Sequence, residues 1–143
     1  MHLRKEAELA SPVALYFHRK GYRWQATELQ FYDYNIDIYG FSRVSDLTVS
    51  VELKIKNWRR AFEQALVYQL CSDLVFMALP KETVHRVDQT MLEAEGIGLI
   101  SVAENNRCQI IVKPRSSHVM NDSYRRHNID MLRQTRSRTN DRG

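Results

Sequence analysis

Apolar and polar residues alternate without a slip over Val49-Ser50-Val51-Glu52-Leu53-Lys54-Ile55. Period two belongs to a strand with one buried face. Val49, Val51, Leu53 and Ile55 therefore share a core face, and Ser50, Glu52 and Lys54 share the opposite one. Asn35-Ile36-Asp37-Ile38-Tyr39 alternates in the same way, with Ile36 and Ile38 on one face, Asn35, Asp37 and Tyr39 on the other, and Gly40 as a break. Tyr22–Phe31 predicts an earlier strand, with Trp24, Ala26 and Leu29 at its apolar positions. Tyr32-Asp33-Tyr34 and the polar stretch Ser42–Asp46 are short connections, so the three strands predict an antiparallel meander.

Helical spacing takes over on either side. Leu3, Ala7, Ala10, Val13, Ala14 and Phe17 form an apolar stripe in the first twenty residues, Pro12 suits the first position of a fresh helical turn, and Gly21 ends the segment. Asn57 is placed to cap a helix over Trp58–Cys71, with Ala61, Ala65 and Tyr68 on one side and Phe62, Leu66 and Leu70 on the next. Asp73–Leu79 is a nearly continuous apolar run closed by Pro80, the pattern of a strand buried on both faces. A weaker helix over Lys81–Glu95 ends at Gly96. Gly98–Val102 predicts another buried strand, Asn105-Asn106 a turn, Cys108–Val112 an edge strand stopped by Pro114, and Tyr124–Arg136 a terminal helix. The order predicts an α/β fold, a mixed sheet of five to six strands flanked by helices.

Charge divides the chain. Residues 1–114 hold fourteen Lys and Arg against fourteen Asp and Glu, whereas residues 115–143 hold seven Arg against three Asp, so the whole excess of +4 sits at the end. A neutral domain over 1–114 carrying an arginine-rich tail over 115–143 suits a polyanionic partner. No apolar run approaches the ~18 residues of a membrane span, and the start of the chain lacks the apolar core of a signal peptide. Two cysteines make no disulfide framework, and no Cys or His spacing matches a zinc site. A cytoplasmic protein without a small-molecule cofactor is expected.

Chemistry enters at the polar face of the Glu52 strand. An isolated Glu-x-Lys is ordinarily a surface ion pair worth under ~1 kcal/mol. Here Asp37 from the preceding strand joins Glu52 and Lys54, and two carboxylates beside an ammonium on a rigid sheet form a seat for a hard divalent cation and an activated water. Glu28, on the first strand, brings a further carboxylate toward the same edge, with Glu6 and Glu8 of the first helix as competitors for that place. Gln64 is an odd polar residue between Ala61, Ala65 and Tyr68. Lys56, Arg59 and Arg60 cluster just after Lys54, where arginines oppose the helix dipole and suit backbone phosphates.

Asp37, the Glu52-Leu53-Lys54 tripeptide on the next strand, the helix after it bearing Gln64 and Tyr68, and the apolar strand ending in Ala78-Leu79-Pro80 together resemble the PD-(D/E)XK nuclease superfamily. This restriction-endonuclease-like fold includes small archaeal Holliday-junction resolvases. The resemblance covers roughly residues 1–113 in element order. Ile36 stands where the proline of the family's name would be. The resemblance implies that Asp37, Glu52 and the backbone carbonyl of Leu53 bind Mg2+, with Mn2+ able to substitute. Lys54 would orient or help deprotonate the attacking water. Gln64, supported by Tyr68, would meet a phosphate or that water, and Lys56, Arg59, Arg60 and Tyr68 would meet DNA. The implied protein is a homodimeric endonuclease hydrolysing DNA phosphodiesters, of junction-resolving, restriction or repair type. The alternative is a non-catalytic module that keeps the fold and binds only nucleic acid or protein.

Overall fold

The alternating segments become neighbours in one six-stranded mixed sheet in the computed structural model, which describes residues 4–142 and their side chains through Arg136. Leu3 lies outside the described residues. The strands are β1 (Trp24–Phe31), β2 (Tyr34–Ser42), β3 (Leu47–Leu53), β4 (Leu74–Pro80), β5 (Gly98–Val102) and β6 (Cys108–Val112), and they lie in the sheet in that same order. β1, β2 and β3 form the antiparallel meander. A helix then carries the chain back, so β4 runs parallel to β3 and β5 parallel to β4, before β6 returns antiparallel at the edge.

Four α-helices cover the sheet: α1 (Glu6–Arg19), α2 (Trp58–Tyr68), α3 (Gln89–Glu95) and α4 (Asp122–Arg142). α1 lies on one face, where Leu9, Val13 and Phe17 pack on Ile38, Val49, Val51, Leu53, Phe76 and Ile100. The other face takes α2, α3 and α4, whose Ala61, Ala65, Tyr68, Leu92 and Leu132 pack on Tyr39, Val75, Met77 and Leu99. β4 feeds both cores, Phe76 and Ala78 to one and Val75, Met77 and Leu79 to the other, as a strand buried on both faces must. Gly98 has no room for a side chain, since a Cβ there would stand 2.6 Å from the Phe76 ring.

Several local expectations are corrected. Pro12 sits inside a continuous α1 rather than opening a new turn. The Leu9, Val13 and Phe17 stripe is anchored on both sides of it, and proline costs the helix one backbone bond there. Asn57 precedes α2 but gives no side-chain cap: its backbone is left-handed (φ 61°), and its carbonyl takes the Arg60 N–H at 3.2 Å. α2 ends at Tyr68, because Gln69, Leu70 and Cys71 bond three residues back in a tightened last turn. The weak helix over 81–95 divides into a single 3-10 turn at Val84–Arg86 and α3, parted by extended Val87 and by Asp88, whose carboxylate caps α3 at the Thr90 N–H.

The arginine-rich end is a long helix packed on the fold. Asn121 caps α4 by accepting the Ser123 and Tyr124 N–H groups at 3.0 and 3.2 Å. Ile129 and Leu132 are buried, an anchor worth roughly 3–6 kcal/mol before the cost of ordering. Arg125 adds a polar tie, with Nε 3.0 Å from Asp73 and Nη2 3.2 Å from Asp46.

Candidate active site

The site begins with a fault in the alternation. On β1, Trp24 and Ala26 pack toward the α2 side, and so do Leu29 and Phe31; on β2, Tyr39 and Phe41 pack there, and so does Ile36. Both strands change parity at the same rung, Glu28 opposite Asp37, while the register on either side of it stays constant. Glu28 carries the distortion in a left-handed backbone (φ 52°). Ile36 and Ile38 consequently face opposite cores, a correction to strict period two along the Asp37 segment. The β2–β3 ladder also stops at Ile38 and Val51. Freed from both ladders, the Asp37 carboxylate turns to β3 and accepts the Leu53 N–H at 2.7 Å.

That turn sets Asp37 beside Glu52, close enough for each carboxyl to shift the titration of the other. Glu52 is only 3% exposed. Burial, then the neighbouring Asp37 charge, pushes its carboxyl up to about 8, against the pull of Tyr68 and Lys54. Burial likewise raises Asp37, while the Leu53 N–H and Lys54 hold it down. Neighbouring buried acids cannot both ionise cheaply, so the pair holds one proton between them. α2 supplies the next partner: Tyr68 Oη donates to Glu52 Oε2 at 3.1 Å, with the Asn35 carbonyl at 3.3 Å as its second choice.

Lys54 follows directly after β3, tied down by its own N–H to the Ala78 carbonyl at 3.1 Å. Its Nζ is 4.0 Å from Glu6 Oε1 of α1, and its charge lowers both acids. Gln64 lies one turn before Tyr68 on the same helical face. Its Oε1 is buried without a hydrogen-bond partner. A lone buried acceptor costs about 1–3 kcal/mol, which marks Gln64 as a residue waiting for a donor.

Asp37, Glu52, Lys54 and Tyr68 are thus brought together. Glu28 is not: it is exposed, and among the described residues it makes no hydrogen bond or ion pair. Its backbone shapes the site, and its side chain leaves it. The third carboxylate felt here is Glu6, through Lys54 and through its repulsion of Asp37. Glu8 is exposed two residues farther along α1. Lys56, Arg59 and Arg60 are exposed beyond the end of β3. Arg59 lies over the Trp58 ring at 4.6 Å and reaches Met91 Sδ at 3.9 Å. On β1 the slip is visible as Trp24 and Ala26 giving way to Leu29 and Phe31, whereas the Asp37 segment alternates acceptably on its own and hides its half of the paired fault.

Among the described residues no group of three or more His, Cys, Asp or Glu side chains gathers as a metal cluster. The two-carboxylate set nevertheless fits Mg2+, which takes one or two carboxylates and completes its shell with water and phosphate. The misfit of the acid pair with itself is the observation that favours a cation. Each carboxylate has one oxygen held by the protein, Asp37 Oδ2 by Leu53 and Glu52 Oε2 by Tyr68.

The class defined by this architecture is α/β, a six-stranded mixed sheet with helices on both faces. Among solved structures, the chain is similar to the SPO1766 protein of unknown function from Silicibacter pomeroyi, at 19% identity and a TM-score of 0.73, over 97% of this chain and 90% of that one. The likeness is one of fold. No family model matches the chain, and no curated protein does.

Proposed function

We propose that this chain is a divalent-metal-dependent nuclease of the PD-(D/E)XK kind, hydrolysing DNA phosphodiester bonds. The observation that carries the reading is the buried, proton-sharing Asp37–Glu52 pair with Lys54 beside it. Asp37 and Glu52, with the carbonyl of Leu53 directly after Glu52, would hold Mg2+. When bound, that ion supplies an acidified water and neutralises charge on the scissile phosphate. The Leu53 N–H and the Tyr68 hydroxyl fix one oxygen of each acid, so the remaining oxygens are presented at a set angle. Lys54, held loosely at 4.0 Å by Glu6, offers a point charge to the attacking water or to a phosphate oxygen. Gln64 Oε1 can accept a hydrogen bond from that water and so orient it, which would end its isolation.

One site cuts one strand, so cleavage of both strands calls for a homodimer. A cytoplasmic location agrees with the free thiols of Cys71 and Cys108. The test is a cleavage panel of duplex, single-stranded and branched DNA with Mg2+, Mn2+ or EDTA, beside Glu52→Ala and Lys54→Ala. Metal-dependent cutting that either substitution reduces by about a thousandfold or more is expected. DNA bound equally well in EDTA and never cut would replace the enzyme by a binding module. A chain inert toward every substrate with both metals would end the reading.

A further inference from the structure

A second charged region lies at the far end of the two elements that build the acid pair. α1 starts at Glu6 beside Lys54 and ends at Arg19; β2 carries Asp37 near its start and finishes at Ser42. Between those far ends opens a groove of about 910 Å³ whose lining includes His18, Arg19, Lys20, Arg23, Arg43 and Arg136, and no Asp or Glu. Both elements measure the same separation from the acids, roughly 15–20 Å by helix and strand rise.

The cations in this groove lack counter-charges. Elsewhere Arg4 pairs with Glu82, Lys54 with Glu6, Arg125 with Asp46 and Asp73, and Arg133 with Asp130. None of the six groove residues has a carboxylate partner among the described residues. Trp24 instead organises two of them, Arg43 and Arg136. Its ring carries the guanidinium groups of Arg43 at 5.3 Å, Arg136 at 5.2 Å and Arg133 at 5.9 Å, from a β2–β3 turn and from α4. Such contacts set Arg43 and Arg136 in place before any ligand arrives.

We propose that this groove holds the sugar-phosphate backbone of a duplex arm of the substrate, about five or six base pairs from the phosphate that is cut. This rests on the nuclease reading and assigns its substrate an uncut double-stranded arm. Clustered, uncompensated arginines select phosphates. A flexible single strand would instead be held by bases stacked on open aromatic rings, and the Trp24 ring is already taken by guanidinium groups. A rigid duplex spans the distance at ~3.4 Å per step. The contacts carry no base information, so the groove sets register and arm length without reading sequence.

The test is fluorescence anisotropy of the full chain with duplexes of about 24 base pairs, ~80 Å at 3.4 Å per step, and with single strands of the same length, titrated with salt in EDTA. Cleavage is followed separately in Mg2+. Arg43→Glu/Arg136→Glu should weaken duplex binding at least tenfold, equally for unrelated sequences, and lower the salt slope by about two. Arg19→Glu/Arg23→Glu, on a different element, should do the same and covers the case in which the first pair misfolds. If the wild-type chain binds and cuts duplex but both double variants keep its affinity and salt slope, the groove assignment fails and the nuclease stands. If only single-strand binding weakens, the duplex assignment fails. Duplex binding that depends on the groove, without cleavage, keeps the groove and removes the nuclease. No binding of any nucleic acid by the wild-type chain removes both.

Discussion

Two acidic centres sit on the same sheet and are finished differently. At the start of β4, Asp73 Oδ2 receives the Thr48 N–H at 2.7 Å, the Thr48 hydroxyl at 2.8 Å and Arg125 Nε at 3.0 Å. The Asp73 N–H returns a bond to Thr48 Oγ1 at 2.9 Å, so strand, turn and helix close around one satisfied charge. Asp37 and Glu52 have fewer donors for more charge, one backbone N–H and one hydroxyl, and must lean on each other. A carboxylate that stabilises a fold is given its counter-charge by the fold. A pair whose nearby cation, Lys54, is ion-paired to Glu6 instead is set up to take more from outside, which is why the cation reading attaches to Asp37 and Glu52 and not to Asp73.

The largest expected difference between the centres is in how stability follows pH. Glu52 holds its proton in the folded chain up to about 8, whereas its ordinary value is 4.5. Between those values the folded state binds a proton that the unfolded state has released, so the stabilisation is complete below 4.5 and is lost as pH rises toward 8. At ~1.4 kcal/mol per pKa unit this amounts to roughly 3–5 kcal/mol, or a fall of about 10 °C in Tm without metal. Mn2+ at pH 8 should restore most of it, because both acids can then ionise onto the ion. Glu52→Gln should flatten the fall and remove the Mn2+ response. Parallel pH profiles for wild type and variant, with Mn2+ moving neither, would leave the acid pair as a structural feature only.

The sheet was readable in the sequence because the alternation of Val49–Ile55 and the continuous apolar run of β4 both mark strands, although β3 proves buried on both faces rather than one. The tripeptide Glu52-Leu53-Lys54 with Asp37 was readable because residue type and order survive in a short motif. That Asp37 shares the parity change of Glu28 was not, since it depends on two strands distorting together at one rung. Nor was the basic groove: its members come from α1, β1, the turn after β2 and α4, and only the tertiary fold gathers them. The arginine-rich end read as a tail because its mean charge outweighs the two buried apolar side chains, Ile129 and Leu132, that fix it.

The satisfied centre gives a smaller and opposite result. Arg125→Ala removes the cation from Asp73 and Asp46 and loosens the start of α4. Asp73 keeps both Thr48 donors, so the cost should be about 2 kcal/mol rather than the 3–5 of a wholly stranded buried charge. Urea unfolding measures it, with the Mn2+-induced gain in stability at pH 8 unchanged from wild type. Loss of that Mn2+ gain in Arg125→Ala would mean that the two centres are coupled and that their contrast is false.

The smallest effect isolates one hydrogen on the acid pair. Tyr68 has a single hydroxyl proton and two acceptors, Glu52 Oε2 at 3.1 Å and the Asn35 carbonyl at 3.3 Å. A bond to the carboxylate favours its charged form, and Tyr68 indeed pulls Glu52 downward. Tyr68→Phe should therefore let Glu52 rise further, moving the alkaline end of the Tm decline to higher pH, with a stability change near 1 kcal/mol. The ring still fills its buried place between Tyr34 and the sheet, so packing changes little. Because the freed carboxylate oxygen is no longer aimed, Mn2+ affinity read from Tm titration should also weaken, by about tenfold if Tyr68 orients a ligand. An unshifted pH profile would assign the hydroxyl proton to Asn35, and the aim of Glu52 would then come from β3 alone.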